Sequence, residues 1–362
     1  VKRGVVLGAA AVVAVGLATL LIVGRSEDAP KPPPELRPLA VIPPGPALVV
    51  SVDVKRLRAT RSGQVLLGKG LAALAGAACE STLAADLDEL ALAMPAGDAL
   101  GGLNSDALAL VADGRFLGAG VVACAETRIG ARGGEPVKTT IGSFTSVRAR
   151  RHSGEIVARD GLLVVSDGSY LRDLIDAADV KRTDGTPAER ERDALHTELR
   201  RVVGRGAPII ATLVLPEGWL AHALADPATE LSPLARIRTA ALRAELTDHV
   251  AIAGIIGTES AEASARLERF FDGARTDLTT LFPASTELFA RVHFERHDAR
   301  IDFNATLTDA DLAALAAELD GAADAGAPDA AAQRDGDADA GAPDAARPQS
   351  QAPKPEPSGK HD

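Results

Sequence analysis

Residues 4–24 run without a single charged side chain, with Lys2 and Arg3 before them and Arg25 after them. At about 1.5 Å of rise per residue, a helix of that length reaches across roughly the 30 Å of a bilayer's hydrocarbon core. A cleaved secretory signal would carry a shorter apolar region, about 7–15 residues, and a small-x-small cleavage site. No such site stands near residues 20–25, and no cysteine there could take a lipid. The expectation is therefore a retained transmembrane anchor over residues 1–25. Lys2 and Arg3 outweigh Arg25, which Glu27 and Asp28 dilute, so the N-terminus is placed in the cytoplasm. Everything from Ser26 onward is then expected outside the cytoplasmic membrane, in the periplasm.

The two flanks of the folded part have no means of building a core. Residues 26–39 are rich in proline and read as an extended, semi-rigid linker. Residues 321–362 contain no Ile, Leu, Val, Met, Phe, Tyr or Trp, and a segment with nothing to bury is expected to stay disordered. That tail repeats Ala-Asp-Ala-Gly-Ala-Pro-Asp-Ala-Ala at 323–331 and 338–346, which is low complexity rather than a solenoid. Its Asp335-Gly-Asp337-Ala-Asp339 stretch falls short of a calcium loop, because the required glycine comes one place late.

Between the flanks the hydrophobic pattern alternates between strand and helix periods. Residues 40–182 read as a first α+β half: a strand at 47–54, helix over most of 55–78, and short apolar runs at 90–94, 107–112, 118–124, 144–150, 155–159 and 162–166. Turn residues between the runs fit an antiparallel meander, and Ser169 is placed to cap a closing helix to about Asp179. Residues 183–206 form a charged connector helix. Thr186-Pro-Ala-Glu189 matches a capping box and Gly204 marks the stop, with the charged positions taken as a solvated face. Residues 207–320 form a second half: a strand at 208–215, a helix opened by Ser232-Pro233, a strand at 249–257, a long helix at 259–282, strands at 287–296 and 300–307, and a helix capped by Thr308 and Asp311. The fold class expected is α+β, mainly antiparallel sheet with packed helices. Two readings stay open for the halves: a structural duplication, or two parts completing one continuous sheet.

Charge and composition exclude more than they assign. A net charge of −11 and a pI near 5.2 speak against nucleic acid, whose phosphates require a basic surface. Cys79 and Cys124 are the only cysteines, and in an oxidising compartment an even count points to one bridge. Such a bridge would contribute on the order of 4 kcal/mol in the chain-entropy model; two unrelated buried thiols are the alternative. Residues 63–70 approach a phosphate-binding loop, but Gly70 stands where a hydroxyl must hold magnesium, so no cofactor is expected. Gly4 and Gly8 are spaced for close helix approach, a match nearly expected by chance in so Ala- and Gly-rich a run. His293, Glu295 and His297 alternate along one strand and share a face, yet a polar outer sheet face explains them without metal. Arg148, Arg150, Arg151 and His152 cluster at a strand end and form the one nameable candidate for holding an anion. No nucleophile elbow, zinc-protease motif or Ser-x-x-Lys motif stands in a usable context, so no catalytic residue is assigned.

The order of parts resembles exported, membrane-anchored proteins of myxobacteria and related GC-rich bacteria. The stretches that carry the resemblance are 46–53, Leu57-Arg58-Ala59 with Gly63, and the positions of Cys79 and Cys124. The resemblance spans about residues 40–319 and implies location and fold, with no activity and no functional residues to carry over. The leading functional expectation is a non-enzymatic module of the cell envelope that binds a protein partner. A binder or sensor of a small anionic ligand comes second, and an unrecognised hydrolase third.

Overall fold

The structure is a computed structural model that describes residues 37–60, 64, 85–96, 108–151, 154–179, 185–217, 219, 233–246, 249–281, 291–308 and 311. The expected anchor, most of the linker, the acidic tail, His152 and Cys79 lie outside the described residues, as do residues 63–70 apart from Gln64. Among the described residues no helix is long and apolar enough to cross a membrane.

The alternating strands at either end of the folded part meet in one sheet. Its members are β1 (Pro46–Asp53), β2 (Leu87–Pro95), β3 (Ala109–Gly114), β4 (Pro136–Ile141), β5 (Phe144–Ala149), β6 (Gly154–Arg159), β7 (Leu162–Asp167), β8 (Ile209–Val214), β9 (Ile237–Leu246), β10 (Val250–Thr258), β11 (His293–His297) and β12 (Arg300–Leu307). They form a twelve-stranded sheet in the order β11-β12-β10-β9-β8-β1-β2-β3-β7-β6-β5-β4. Every neighbouring pair is antiparallel. The chain class is thus α+β on a large antiparallel sheet. Outward from the centre, β1-β2-β3-β7-β6 and β8-β9-β10-β12-β11 follow the same order of first, second, third, last and last-but-one strand.

Among the described residues six helices flank it: α1 (Arg37–Val41), α2 (Val54–Arg58), α3 (Gly118–Ala131), α4 (Gly168–Ala178), α5 (Pro187–Val203) and α6 (Ala261–Leu281). Strand alternation splits the apolar residues between two faces. On the front face Val49, Ala91, Val111 and Val164 pack beneath Val41 and Ile42 and beneath Leu171, Leu174 and Ile175 of α4. Farther along that face Leu199 and Val203 of α5 cover Ile210, Val214 and Ala241. On the back face Val50, Val52, Ala112, Ala158, Ile209 and Ala244 pack with Val54 and Leu57 of α2 and Val121, Val122 and Ala125 of α3. Phe271 of α6 stacks on Phe294 of β11 at 4.8 Å.

Several elements depart from the sequence expectation, each for an identifiable reason. The apolar run at 118–124, expected as a strand, is the first half of α3. Its buried positions Val121, Val122 and Ala125 follow helical spacing, and the Gly118 N–H finds Asp160 Oδ1 at 2.9 Å. The helix expected after Ser232-Pro233 is a single 3-10 turn, Leu234–Arg236, leading into β9. Ala- and Leu-rich sequence enters the sheet there because β8 and β10 supply ladders on both sides. β4, an exposed edge strand with little apolar content, had no apolar run to announce it. Asp167 rather than Ser169 occupies the N-cap of α4, without a side-chain cap bond. Arg37 and Pro38, expected as extended linker, begin α1, where a first-turn proline loses no hydrogen bond. The Thr186/Glu189 capping box and the reciprocal Thr308/Asp311 bonds are formed as expected.

Candidate functional site

Helix α5 was expected to present charge to solvent, yet it lies across the centre of the sheet and buries His196, Leu199 and Val203. Those positions, spaced three and four apart, form one helical stripe. His196 is 6 % exposed. Its Nε2 lies 2.9 Å from the Pro46 carbonyl oxygen and its Nδ1 2.7 Å from Thr212 Oγ1. A carbonyl only accepts, so Nε2 carries the proton and the Thr212 hydroxyl donates to Nδ1. Burial pushes the His196 pKa down; the Pro46 bond and Asp193 oppose that, and Arg200 and Arg192 add to it. Beside it Arg200 donates to Ser51 Oγ at 3.2 Å, and Ser51 Oγ to the Ile210 carbonyl at 3.3 Å. This polar column fastens β1 to β8. Thr212 is 1 % exposed, so the His–hydroxyl pair has no route to a substrate.

At the N-terminal end of α5 the same contacts open into a cleft of about 230 Å³. One wall is the proline-rich entry to β1 (Pro43, Pro44, Gly45, Pro46) with Pro95 and Ala96 from the end of β2. The other is Tyr170, Asp173, Asp176 and Ala177 of α4 with Glu189 and Arg192 of α5. Gly45 adopts φ +77°, and a side chain there would run into Glu189, whose Cα would lie 2.7 Å from the new Cβ. Its N–H donates to Asp193 Oδ1 at 2.9 Å and its carbonyl accepts from Arg192 Nε at 2.9 Å, so α5 clamps the loop.

The electrostatics of the cleft are one-sided. Asp173, Asp176 and Glu189 outnumber Arg192, which keeps its charge while donating to the Gly45 carbonyl, and Glu189 Oε2 also accepts from the Thr186 N–H at 2.6 Å. Partial burial holds the Asp173 carboxyl above its ordinary range, and the neighbouring carboxylates of Asp176 and Glu189 push it further. Glu189 lies below its ordinary range, because the backbone N–H and side chain of Thr186 favour its charged form. Tyr170 is 8 % exposed, and its hydroxyl has no hydrogen-bond partner. Burial raises its pKa well above the usual phenol value, with Asp173 and Asp193 adding to the shift. Among the described residues no Ser, Thr, Cys or His lines this cleft.

The residues singled out from sequence lie elsewhere. Arg148 is exposed on β5, next to edge strand β4; Arg150 and Arg151 follow in the turn, and Arg150 pairs with Glu135 at 2.7 Å. His293, Glu295 and His297 are exposed on edge strand β11, with His297 Nε2 3.3 Å from Glu295 Oε1. Among the described residues no group of three His, Cys, Asp or Glu side chains is placed to hold a metal. Cys124 lies on α3. Tyr170, Asp173 and Asp176 were missed, although their spacing of three on a helix would have put them on one face.

No family model matches the chain, and no curated protein matches it. Among solved structures it is similar to crystal forms I and III of TP0453, with TM-scores of 0.44 and 0.43 at 11 % and 10 % identity. The alignments cover 79 % of this chain in both cases and 98 % and 99 % of those chains. At those scores the likeness carries no argument here.

Proposed function

We propose that the chain is a membrane-anchored, extracytoplasmic module that binds a protein partner in the cell envelope and performs no catalysis. The observation that supports this most is the cleft between α4, α5 and the entry to β1. It is open and acidic, and among the described residues no Ser, Thr, Cys or His lines it. The uncharged run at 4–24 and the proline-rich linker support an anchored domain held off a membrane, with the N-terminus cytoplasmic. The same reading takes the tail at 321–362 as disordered and pairs Cys79 with Cys124. It keeps the resemblance to the exported proteins of GC-rich bacteria as its reason for a bacterial envelope. The matched strand order of the two arms supports a duplication whose copies share one sheet.

The test is photo-crosslinking in the native envelope, with the crosslinker placed in turn at Ala96 and Ala177 beside the cleft. One recurrent envelope protein, captured from both positions and lost on Gly45→Ala, is the expected result. Capture of nothing above background by a folded, abundant protein would remove the partner reading.

A further inference from the structure

We propose that edge strand β11 binds zinc across a twofold axis, so that the metal joins two copies of this chain. The proposal goes beyond the partner reading and uses neither the cleft nor its residues.

The backbone decides what β11 offers. The strand ends the sheet order, with β12 on one side and no strand on the other among the described residues. The tight turn at Asp298 and Ala299 makes His297 and Arg300 a pair that exchanges backbone bonds. By alternation His293 and Glu295 also turn their backbone groups to β12, while those of Phe294 and Arg296 face the open edge. The side chains of Phe294 and Arg296 lie towards α6, where Phe294 stacks on Phe271 at 4.8 Å and Arg296 Nε meets Glu268 at 3.0 Å. His293, Glu295 and His297 therefore stand together on the other face, and all three are exposed. Arg300, beside His297 on β12, is paired with Asp302 at 2.6 Å, so the two add no net charge to that face.

The spacing of two of these side chains matches a metal's. Zinc holds imidazole and carboxylate at about 2.0–2.1 Å in a tetrahedron, whose ligand atoms are then about 3.3–3.4 Å apart. His297 Nε2 and Glu295 Oε1 are 3.3 Å apart, longer than the usual hydrogen bond of about 2.9 Å. One chain goes no further. His293 of the same chain is four residues from His297, about 13 Å along the strand, and no group of three ligands forms among the described residues.

A second copy supplies the third ligand. The segment 293–297 reads His-x-Glu-x-His from either end, the self-complementary pattern that a twofold interface requires. Antiparallel pairing of two β11 strands about Glu295 sets His293 of each copy opposite His297 of the other. These positions fall in the pairs without mutual backbone bonds, whose Cα atoms approach to about 4.5 Å. Each site then holds His297 and Glu295 of one copy and His293 of the other, with a fourth position for water, and each dimer has two sites. Mixed imidazole and carboxylate suits zinc, whereas calcium takes oxygen ligands. Without metal, Glu295 of one copy faces Glu295 of the other, and like charges directly opposite are destabilising. Five residues a side are also far fewer than the roughly 20–30 of a standard interface, so the metal decides whether the edges join.

The experiment is sedimentation of the full chain in detergent, with zinc, calcium or a chelator, and bound zinc counted by atomic absorption. The expected result is a doubling of the mass with zinc alone, one zinc per chain, reversed by the chelator. His293→Asn and His297→Asn, both at exposed positions, should each weaken zinc-driven association at least tenfold. Mixing those two variants is the decisive arm: one of the two sites regains all its ligands, so the mixture should dimerise with one zinc per dimer. Arg148→Gln/Arg150→Gln, on the far edge of the sheet, should change nothing. Four results overturn the proposal: no zinc bound, zinc bound at unchanged mass, a mixture no better than its components, or calcium acting as zinc does.

Discussion

His196 gives the sharpest test of how the centre of the sheet is held. Its two ring nitrogens are both spoken for, by the Pro46 carbonyl at 2.9 Å and Thr212 Oγ1 at 2.7 Å. Replacing it by leucine keeps an apolar side chain of similar size and removes both bonds. The Pro46 carbonyl is then left unpartnered, and a buried unsatisfied group costs about 1–3 kcal/mol. Thr212 loses its stronger partner but can turn to the Val49 carbonyl at 3.4 Å, so its loss lies at the low end. Together these put His196→Leu at about 2–4 kcal/mol of destabilisation. Thr212→Val removes the other end and strands Nδ1, for about 1–2 kcal/mol. The double variant leaves only the Pro46 carbonyl without a partner, so it should fall short of the sum of the singles by at least about 1 kcal/mol. Urea unfolding followed by far-ultraviolet circular dichroism, with unchanged slopes across the four proteins, reads this directly. Effects that add within about 0.5 kcal/mol would refute the bond between the two residues.

Four further outcomes follow from the same geometry. The His196 pKa is lowered in the folded state, so the unfolded chain binds the extra proton more readily below its ordinary pKa of about 6.5. Stability from this group is complete above that pH and is lost as the pH falls through 6.5 towards the folded value; His196→Leu should flatten that part of a stability-against-pH curve. Gly45→Ala puts a Cβ into Glu189 at a positive φ and should lower the urea midpoint by the equivalent of about 1–3 kcal/mol. Thr186→Ala removes the capping-box bond to the Glu189 N–H and should cost about 1 kcal/mol in the same assay. Leu174→Ala empties a fully buried position between α4 and the sheet and should cost about 2–5 kcal/mol.

What the sequence disclosed depended on whether the signal was local. The capping box of α5, the Gly204 stop, the outlines of β1, β8, β10 and β12 and the length of α6 were legible, because each is written in neighbouring residues. β9 was not, since Ala240, Ala241 and Leu242 prefer helix and become strand only between two partners. α3 was misread because Val121 and Val122 look like a strand until Ala125 is counted with them. The cleft was the least legible part: its residues come from four segments of the chain, and proximity across the sheet leaves no mark in linear order. The arginine cluster drew notice for the opposite reason, being dense in sequence, although Arg150 is neutralised by Glu135.

The joint between β1 and β8 also sets the order in which the molecule can be completed. Ser51 and Ile210, partners across it, stand 159 positions apart. At synthesis rates of about 5–20 residues per second, β1 waits roughly 8–30 s for its second neighbour. During that interval β2 can pair on one side, while the other side of β1 remains an open row of backbone donors and acceptors between apolar faces. The nascent first arm is therefore adhesive until residues 209–214 arrive, and chains stalled before that point carry an exposed sheet edge at what should have become the middle of the protein.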